Sequence, residues 1–284
     1  MIDADTFRID HAGLSLQGYH WPSNADSARA AIVIVHGLGE HSGRYDHVGS
    51  YFIELGYEVF AFDHEGHGNS EGKRGAIRNW PMAVASINSA LAAIRQRLPT
   101  PHLPVVLYGH SLGGLYSLDY LTGRAEAMQL TAAVVTSPPL ALSFTPSPWL
   151  VKAANTLKRI APNVTKSNEL DATALSQDAG VVSMYQVDPL VHDQVSILLG
   201  ADMLTHGKRL TAAGYHGDVP LLLMHGTKDG VTHPGGTSTF AEASTGPVSL
   251  ELWDGGYHEL HNEPYKEQVL HYIAMWLDHQ VPTA

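Results

Sequence analysis

Short apolar runs recur along the chain, and segments with apolar residues at helical spacing separate them. Several runs are continuously apolar, which is typical of strands in a parallel sheet that is buried on both faces. The runs predict strands at residues 14–21, 31–35, 58–63, 105–108, 130–136, 220–224 and 249–253. The periodic segments predict helices at residues 82–98, 112–121, 237–243 and 264–279. This alternation predicts an α/β fold whose mostly parallel sheet is flanked by helices.

The alternation of strands and helices stops in the middle of the chain. Residues 138–214 are rich in proline at their start, continue with helical patterns, and contain no predicted strand of comparable strength. We expect this stretch to form a helical cap inserted into the core domain. The core then comprises residues 1–137 and 215–284.

Composition and charge narrow the range of functions. The formal net charge is −11, which argues against nucleic acid as a partner. The chain contains no cysteine, so disulfides, thiolate catalysis and cysteine-ligated zinc are excluded. No apolar run approaches the roughly 20 residues of a membrane span. The acidic start of the chain lacks the basic and apolar regions of a signal peptide, so we expect a cytoplasmic protein.

A serine flanked by glycines follows one of the predicted strands. The segment Gly109-His110-Ser111-Leu112-Gly113 lies between that strand and a predicted helix. Glycines permit a sharp turn that would crowd any Cβ atom, and such a turn exposes the serine oxygen above the sheet. The segment therefore matches the G-x-S-x-G pattern of a nucleophile elbow.

Two further residues complete a candidate catalytic triad with Ser111. In sheets of this type the acid and then the histidine follow the serine along the chain. Asp229 lies in the loop after the next-to-last predicted strand, and His258 follows the last one. His258 would accept the serine proton, and Asp229 would fix its tautomer. Asp254 and His261 are alternatives, but Asp254 is more typical of a residue that ends a strand, and His258 comes first after a Gly-Gly turn.

Acyl transfer also needs donors for the oxyanion that forms during the reaction. One predicted donor is the backbone N–H of Leu112, which directly follows the nucleophile. The other is the N–H of Leu38, in the glycine-rich loop that follows the strand at residues 31–35. The alternative is that this loop is a turn that binds nothing.

Metal and nucleotide sites are poorly supported by the sequence. The segment His64-Glu65-Gly66-His67 does not match the zinc pattern H-E-x-x-H, and it lies in a glycine-rich turn. His258 and His261 have the spacing of a metal pair, but no third ligand follows from the sequence. Residues 66–68 lack the third glycine of a dinucleotide fingerprint. We expect neither a metal nor a cofactor.

Several motifs together resemble the monoacylglycerol lipase family of serine α/β-hydrolases. They are residues 36–45 (HGLGEHSGRY), 63–72 (DHEGHGNSEG), 109–114 (GHSLGG), 188–190 (DPL) and 256–261 (GYHELH). The resemblance implies the α/β-hydrolase fold, with an eight-stranded sheet and a cap, and it implies the triad and the oxyanion donors proposed above. Outside residues 185–190 the cap is poorly matched, and Ser86 stands where an acidic residue is expected.

The resemblance also implies a polar end of the pocket that holds a glycerol head group. By position, the residues that would build it are Glu40, Arg44, His110, Tyr185 and His261. For Glu40 and Arg44 an alternative stays open, in which the two form an ion pair that braces the loop. The cap implied by the resemblance would limit the site to a single acyl chain.

The expected activity is hydrolysis of monoacylglycerols to glycerol and free fatty acid through an acyl-enzyme on Ser111. A lysophospholipase or a broad short-chain carboxylesterase would use the same residues. A non-catalytic binding protein with the same fold is the alternative from another class. The sequence does not give the oligomeric state.

One cap segment suggests contact with lipid surfaces. Ser147 and Pro148 resemble the start of a helix, in which five apolar residues would share one face: Leu150, Ala153, Ala154, Leu157 and Ile160. Three basic residues lie on the remaining surface: Lys152, Lys158 and Arg159. One hypothesis is that the helix docks on anionic lipid and opens the pocket, which would make the protein peripheral to a membrane. The other is an ordinary amphipathic helix packed over the site.

Overall fold

Eight strands form one sheet. The computed structural model describes residues 4–25, 27–123, 129–144 and 147–281, and for Pro148 and Leu150 the backbone alone. The strands of this sheet are β1 (Asp5–His11), β2 (Leu14–Trp21), β3 (Ala30–Val35), β4 (Tyr57–Phe62), β5 (Val105–His110), β6 (Ala132–Thr136), β9 (Leu221–Gly226) and β10 (Val248–Trp253). Their order in the sheet is β1-β2-β4-β3-β5-β6-β9-β10. Strand β2 pairs antiparallel with β1 and β4, and the other neighbours pair parallel. The predicted mostly parallel sheet is confirmed.

Helices cover both faces of the sheet. The α-helices of the described residues are α1 (Asp46–Glu54), α2 (Trp80–Arg95), α3 (Ser111–Gly123), α4 (Pro148–Leu157), α5 (Ala179–Val187), α6 (Ile197–Ala213), α7 (Pro234–Ala243) and α8 (Lys266–Asp278). Helices α2, α3, α6 and α7 pack their apolar residues on one face, and α1 and α8 pack theirs on the other. Because both faces are covered, every residue of β3 to β6 and of β9 is buried. Burial on two sides explains why these strands consist mostly of apolar residues.

Between β6 and β9 the chain leaves the sheet. Two strands of three residues, β7 (Thr165–Ser167) and β8 (Gln194–Ser196), pair antiparallel there. They are too short and too polar for a periodic signal, which is why the sequence predicted no strand in this stretch. Helix α6 contributes Leu199 and Leu210 to the same apolar core as α3 and α7. The limits of the cap, residues 138–214, stay a prediction.

The basic cap helix differs from its prediction in two respects. Helix α4 ends at Leu157, so Lys158, Arg159 and Ile160 lie beyond it. Ser147 precedes the helix but makes no capping hydrogen bond with its side chain. Leu157 and Ile160 do not pack inward, since they are 44% and 77% exposed. The Leu150 side chain lies outside the described residues.

The loop after β3 is held by a buried aspartate at the end of β4. Asp63 accepts a hydrogen bond from the backbone N–H of Ser42 through Oδ1 at 2.8 Å. Its Oδ2 accepts from the backbone N–H of Asn69, also at 2.8 Å. Asp63 is fully buried, so these bonds replace its lost hydration. The loop that carries Leu38 is thereby fixed at the carboxyl edge of the sheet, where chemistry sits in folds of this class.

Candidate active site

Ser111 lies at the sharp turn between β5 and α3. Its backbone φ is +51°, in the left-handed region that a residue with a Cβ atom rarely adopts. The flanking glycines make the turn possible. A Cβ atom on Gly113 would collide with the carbonyl oxygen of Val35, and one on Gly109 would collide with Ser117 Oγ. The sharp turn predicted from the glycine spacing is therefore present.

The structure brings Ser111, Asp229 and His258 into one hydrogen-bonded line. His258 Nε2 lies 3.0 Å from Ser111 Oγ, and His258 Nδ1 lies 2.7 Å from Asp229 Oδ2. The histidine and the aspartate are 3% and 6% exposed. This is the geometry that a nucleophile, a general base and an orienting acid require.

Every hydrogen bond to Asp229 favours its charged form. Oδ2 also accepts from Thr232 Oγ1 at 2.8 Å and lies 3.0 Å from His225 Nε2, while Oδ1 accepts from the backbone N–H groups of Val231 and Thr232. Burial alone would raise the pKa of Asp229, but His258 and these bonds outweigh it and hold the pKa well below its usual range. Burial would lower the pKa of His258, but the charge and hydrogen bond of Asp229 raise it above its usual value.

The two alternative residues lie elsewhere. Asp254 is exposed at the surface and receives a hydrogen bond from Thr227 Oγ1 at 3.3 Å. His261 is fully buried behind His110, and its ring stacks on Tyr45 with centroids 4.8 Å apart. Burial lowers the pKa of His261 to about 3, so this ring stays neutral. Neither alternative bonds to Ser111 among the hydrogen bonds described.

The two proposed oxyanion donors belong to residues that line the same cavity as Ser111. Leu112 is the second residue of α3, so its N–H lies at a helix N-terminus, where the amides have no partner within the helix. The loop of Leu38 passes directly against the nucleophile, since a Cβ atom on Gly37 would lie 3.1 Å from Ser111 Cβ. The oxyanion role of both amides stays a prediction.

A cavity of about 290 Å³ opens above Ser111. Much of its lining is apolar and comes largely from the region between β6 and β9: Pro139, Leu142, Phe144, Leu170, Ala174, Leu175 and Met203, with Val231 from the loop after β9. Its polar lining includes Glu40, His110, Tyr185 and Glu259. The candidate nucleophile and the candidate base thus lie at one cavity, whose lining is partly apolar and partly polar.

The predicted head-group residues divide into two sets. Glu40, His110 and Tyr185 line the cavity, whereas Arg44 and His261 lie behind its wall. Arg44 Nη1 is 2.6 Å from Glu40 Oε2, as expected for the bracing ion pair. Its guanidinium carbon lies 4.8 Å from the centre of the Tyr185 ring. The contact of these residues with a head group stays a prediction.

Sequence reasoning missed three residues that hold this site together. His225 and Thr232 both contact Asp229, and Glu259 pairs with Arg44 through two hydrogen bonds of 2.7 Å. His225 directly follows the predicted strand at residues 220–224 and stands four residues before Asp229, which was the available signal. Glu259 belongs to the motif at residues 256–261, but nothing in the sequence linked it to Arg44, which lies 215 residues away. Within the described ranges, no three His, Asp or Glu residues are grouped so that they could hold a metal ion.

Comparisons of the sequence and of the structure with known proteins agree on one family. Residues 26–265 match the family model described as serine aminopeptidase, S33. A monoacylglycerol lipase of Mycolicibacterium smegmatis is 34% identical over 266 residues, which are 90% of either chain. The crystal structure of a Paleococcus ferrophilus monoacylglycerol lipase superposes with a TM-score of 0.82 at 34% identity, covering 92% of this chain and 98% of that one. An uncharacterized abhydrolase domain-containing protein of Dictyostelium discoideum is 37% identical over 90% of this chain, which spans only 27% of that longer protein.

Proposed function

This chain belongs to the serine aminopeptidase S33 family of α/β-hydrolases, and from that premise we propose that it hydrolyses monoacylglycerols to glycerol and free fatty acid. The observation that carries the proposal is the cavity above Ser111, which combines an apolar lining with a cluster of polar side chains. An apolar lining suits an acyl chain, and the polar cluster suits the hydroxyls of glycerol. The relatives from M. smegmatis and P. ferrophilus are named as monoacylglycerol lipases, which supports the same substrate.

The reaction follows from the geometry of the three bonded residues. His258 removes the proton from Ser111 Oγ, which attacks the ester carbonyl carbon, and the negative oxygen is stabilised by the N–H groups of Leu38 and Leu112. Asp229 stabilises the imidazolium that forms. The C–O bond to glycerol then breaks, and glycerol leaves with the proton from His258. Water, activated by the same histidine, hydrolyses the acyl-enzyme.

The charge of the polar cluster favours a neutral alcohol over a phosphate. Arg44 is the basic residue that lies behind this cluster in the cavity wall, and it is shared between the carboxylates of Glu40 and Glu259. One guanidinium between two carboxylates leaves no net positive charge to attract an anionic head group. Among the described residues that line the cavity there is no Arg or Lys. This supports monoacylglycerol over lysophospholipid as the substrate.

The experiment is a measurement of glycerol and fatty acid released from 1-monoacylglycerols of graded chain length, with Ser111→Ala alongside. We expect release that depends on Ser111 and is much slower from di- and triacylglycerols, because a cavity of about 290 Å³ is at the small end of ligand sites. Turnover of p-nitrophenyl acetate without glycerol release would contradict the substrate but leave the triad intact. Failure of a fluorophosphonate to label Ser111 would favour a binding protein.

We also propose that the cap contacts lipid surfaces at the periphery of a membrane. Trp149, Leu157 and Ile160 are 68%, 44% and 77% exposed, and Lys152 and Arg159 are exposed beside them. Exposed apolar side chains next to basic ones suit the interface of an anionic membrane. Lys158 contributes less, since it lies 2.7 Å from Asp202. No helix of the described ranges has the length and apolarity to cross a bilayer.

A further inference from the structure

Glu259 directly follows the catalytic base candidate and is 2% exposed. Both of its carboxylate oxygens are bonded to Arg44, Oε1 to Nη1 and Oε2 to Nη2, each at 2.7 Å. Oε2 also accepts from Asn262 Nδ2 at 2.7 Å. A two-point pair between a guanidinium and a carboxylate fixes orientation as well as distance. The Arg44 side chain is therefore held rigidly against the loop that carries His258.

The same guanidinium reaches the loop that carries Leu38. Arg44 Nη1 is 2.6 Å from Glu40 Oε2, and the other oxygen of Glu40 accepts the backbone N–H of Gly37 at 2.6 Å. Tyr45 donates its hydroxyl to that oxygen at 2.9 Å. Gly37 immediately precedes Leu38, so this bond limits rotation of the backbone that leads into the proposed oxyanion donor. An unbroken series of bonds thus runs from the residue after the base to the residue before the donor.

We propose that Glu259 is a positioning residue. It acts through Arg44 and Glu40 to hold the loop that carries Leu38 at a fixed distance and orientation relative to His258. Catalysis depends on this relative position because the backbone N–H donors must lie at hydrogen-bond distance from the developing oxyanion. A shift of about 1 Å can cost about 100-fold in rate. The inference rests on the proposed esterase mechanism but not on glycerol as the alcohol.

This role differs from direct recognition of the head group by Arg44. Two of the guanidinium nitrogens are already bonded to carboxylates, and the Tyr185 ring covers one side of the group. Arg44 does not line the cavity, whereas both of its carboxylate partners do. Arg44 therefore acts within the wall and joins two loops. Its effect on the reaction rate should therefore be the same for every ester that the site accepts, whatever the alcohol group.

The test is Glu259→Gln, assayed on a glycerol ester and on a methyl ester of the same fatty acid. Gln keeps the size of Glu but cannot form the charged two-point pair, while Arg44 keeps Glu40 as a partner, so the fold is preserved. We expect kcat to fall by about 10- to 100-fold on both esters with little change in KM, since removing one oxyanion donor outright costs about 100- to 1000-fold. Arg44→Lys, which keeps the charge but not the fork, should give a similar loss.

A transition-state analogue provides a second readout that general destabilisation would not move. A long-chain trifluoromethyl ketone places an oxyanion in the hole, so its affinity should fall by the same factor as kcat/KM. The affinity of the free fatty acid should stay unchanged. The control is Glu58→Gln, a buried carboxylate paired with His20 in the sheet, which should leave both quantities within about twofold of the wild type.

Two outcomes would overturn the proposal. One is a loss confined to the glycerol ester and expressed in KM, which would mean that the cluster binds the alcohol directly. The other is wild-type kinetics for Glu259→Gln on both esters. If the wild type hydrolyses the methyl ester but not the monoacylglycerol, the proposed substrate fails, and the role of Glu259 is still decided on the methyl ester.

Discussion

His225 Nε2 lies 3.0 Å from Asp229 Oδ2, the oxygen that also faces His258. The ring of His225 is in turn fixed at its other nitrogen, which lies 2.7 Å from Thr237 Oγ1 at the start of α7. Asp229 is therefore oriented from behind by a buried imidazole, in addition to the backbone N–H groups of its own loop. An acid held in this way keeps its charge and its direction while His258 gains and loses a proton.

Asp229→Asn should lower kcat by about 10,000-fold, because Asn would hold His258 in the wrong tautomer. The measurement is the turnover of a monoacylglycerol and of a p-nitrophenyl ester by purified variants. Asp254→Asn is the matched control: Asp254 is exposed and bonds only to Thr227 among the contacts described, so its loss should leave kcat unchanged. Equal effects of the two substitutions would remove Asp229 from the triad.

The pH profile should reflect the titration of His258. This ring accepts the serine proton only when it is neutral, and Asp229 raises its pKa above the usual 6.5. The value of kcat/KM should therefore be constant at high pH and fall about tenfold per pH unit below a midpoint higher than 6.5. A midpoint below 6, measured on an ester that does not itself titrate, would show that burial outweighs the carboxylate.

Backbone strain at Ser111 should appear in the stability of its variants. At φ +51° a Cβ atom is unfavourable, so Ser111→Gly should be more stable than Ser111→Ala by about 1 kcal/mol in urea unfolding. Ser238, inside helix α7, is the control. There the order should reverse, with Ala about 1 kcal/mol more stable than Gly. The same order at both positions would show that the turn at Ser111 relaxes.

The sequence predicted the centre of the sheet better than its edges. Strands such as β5 are apolar at almost every position because helices cover both of their faces, and that pattern is visible without a structure. Strand β1 has only β2 as a neighbour and consists mostly of polar residues, so the sequence did not indicate it. The triad positions followed from the same logic, since each lies in the turn or loop that follows a strand that the sequence identified.

The connections between loops could not be read from the sequence. Glu259 and Arg44 are 215 residues apart, and neither apolar periodicity nor a local motif links them. Lys158 was predicted to lie on the surface of the cap helix, and the sequence did not indicate that the fold brings Asp202 of α6 within 2.7 Å of it. Ion pairs of this kind depend on how the helices and loops pack against one another in the folded protein. Local patterns in the sequence do not encode that packing.

Binding to anionic vesicles should depend on the basic residues of the cap that remain exposed. Each Lys or Arg near an anionic surface contributes about 1 kcal/mol, so Lys152→Gln with Arg159→Gln should weaken binding about 30-fold in vesicle sedimentation. Lys158 is left unchanged because it is paired with Asp202. The control is Lys208→Gln with Lys228→Gln, which changes the net charge equally at exposed positions outside this segment. Equal losses for the two pairs would mean that vesicles sense overall charge. No loss for either would mean that the cap surface does not dock, and the exposed Trp149 would then need another explanation.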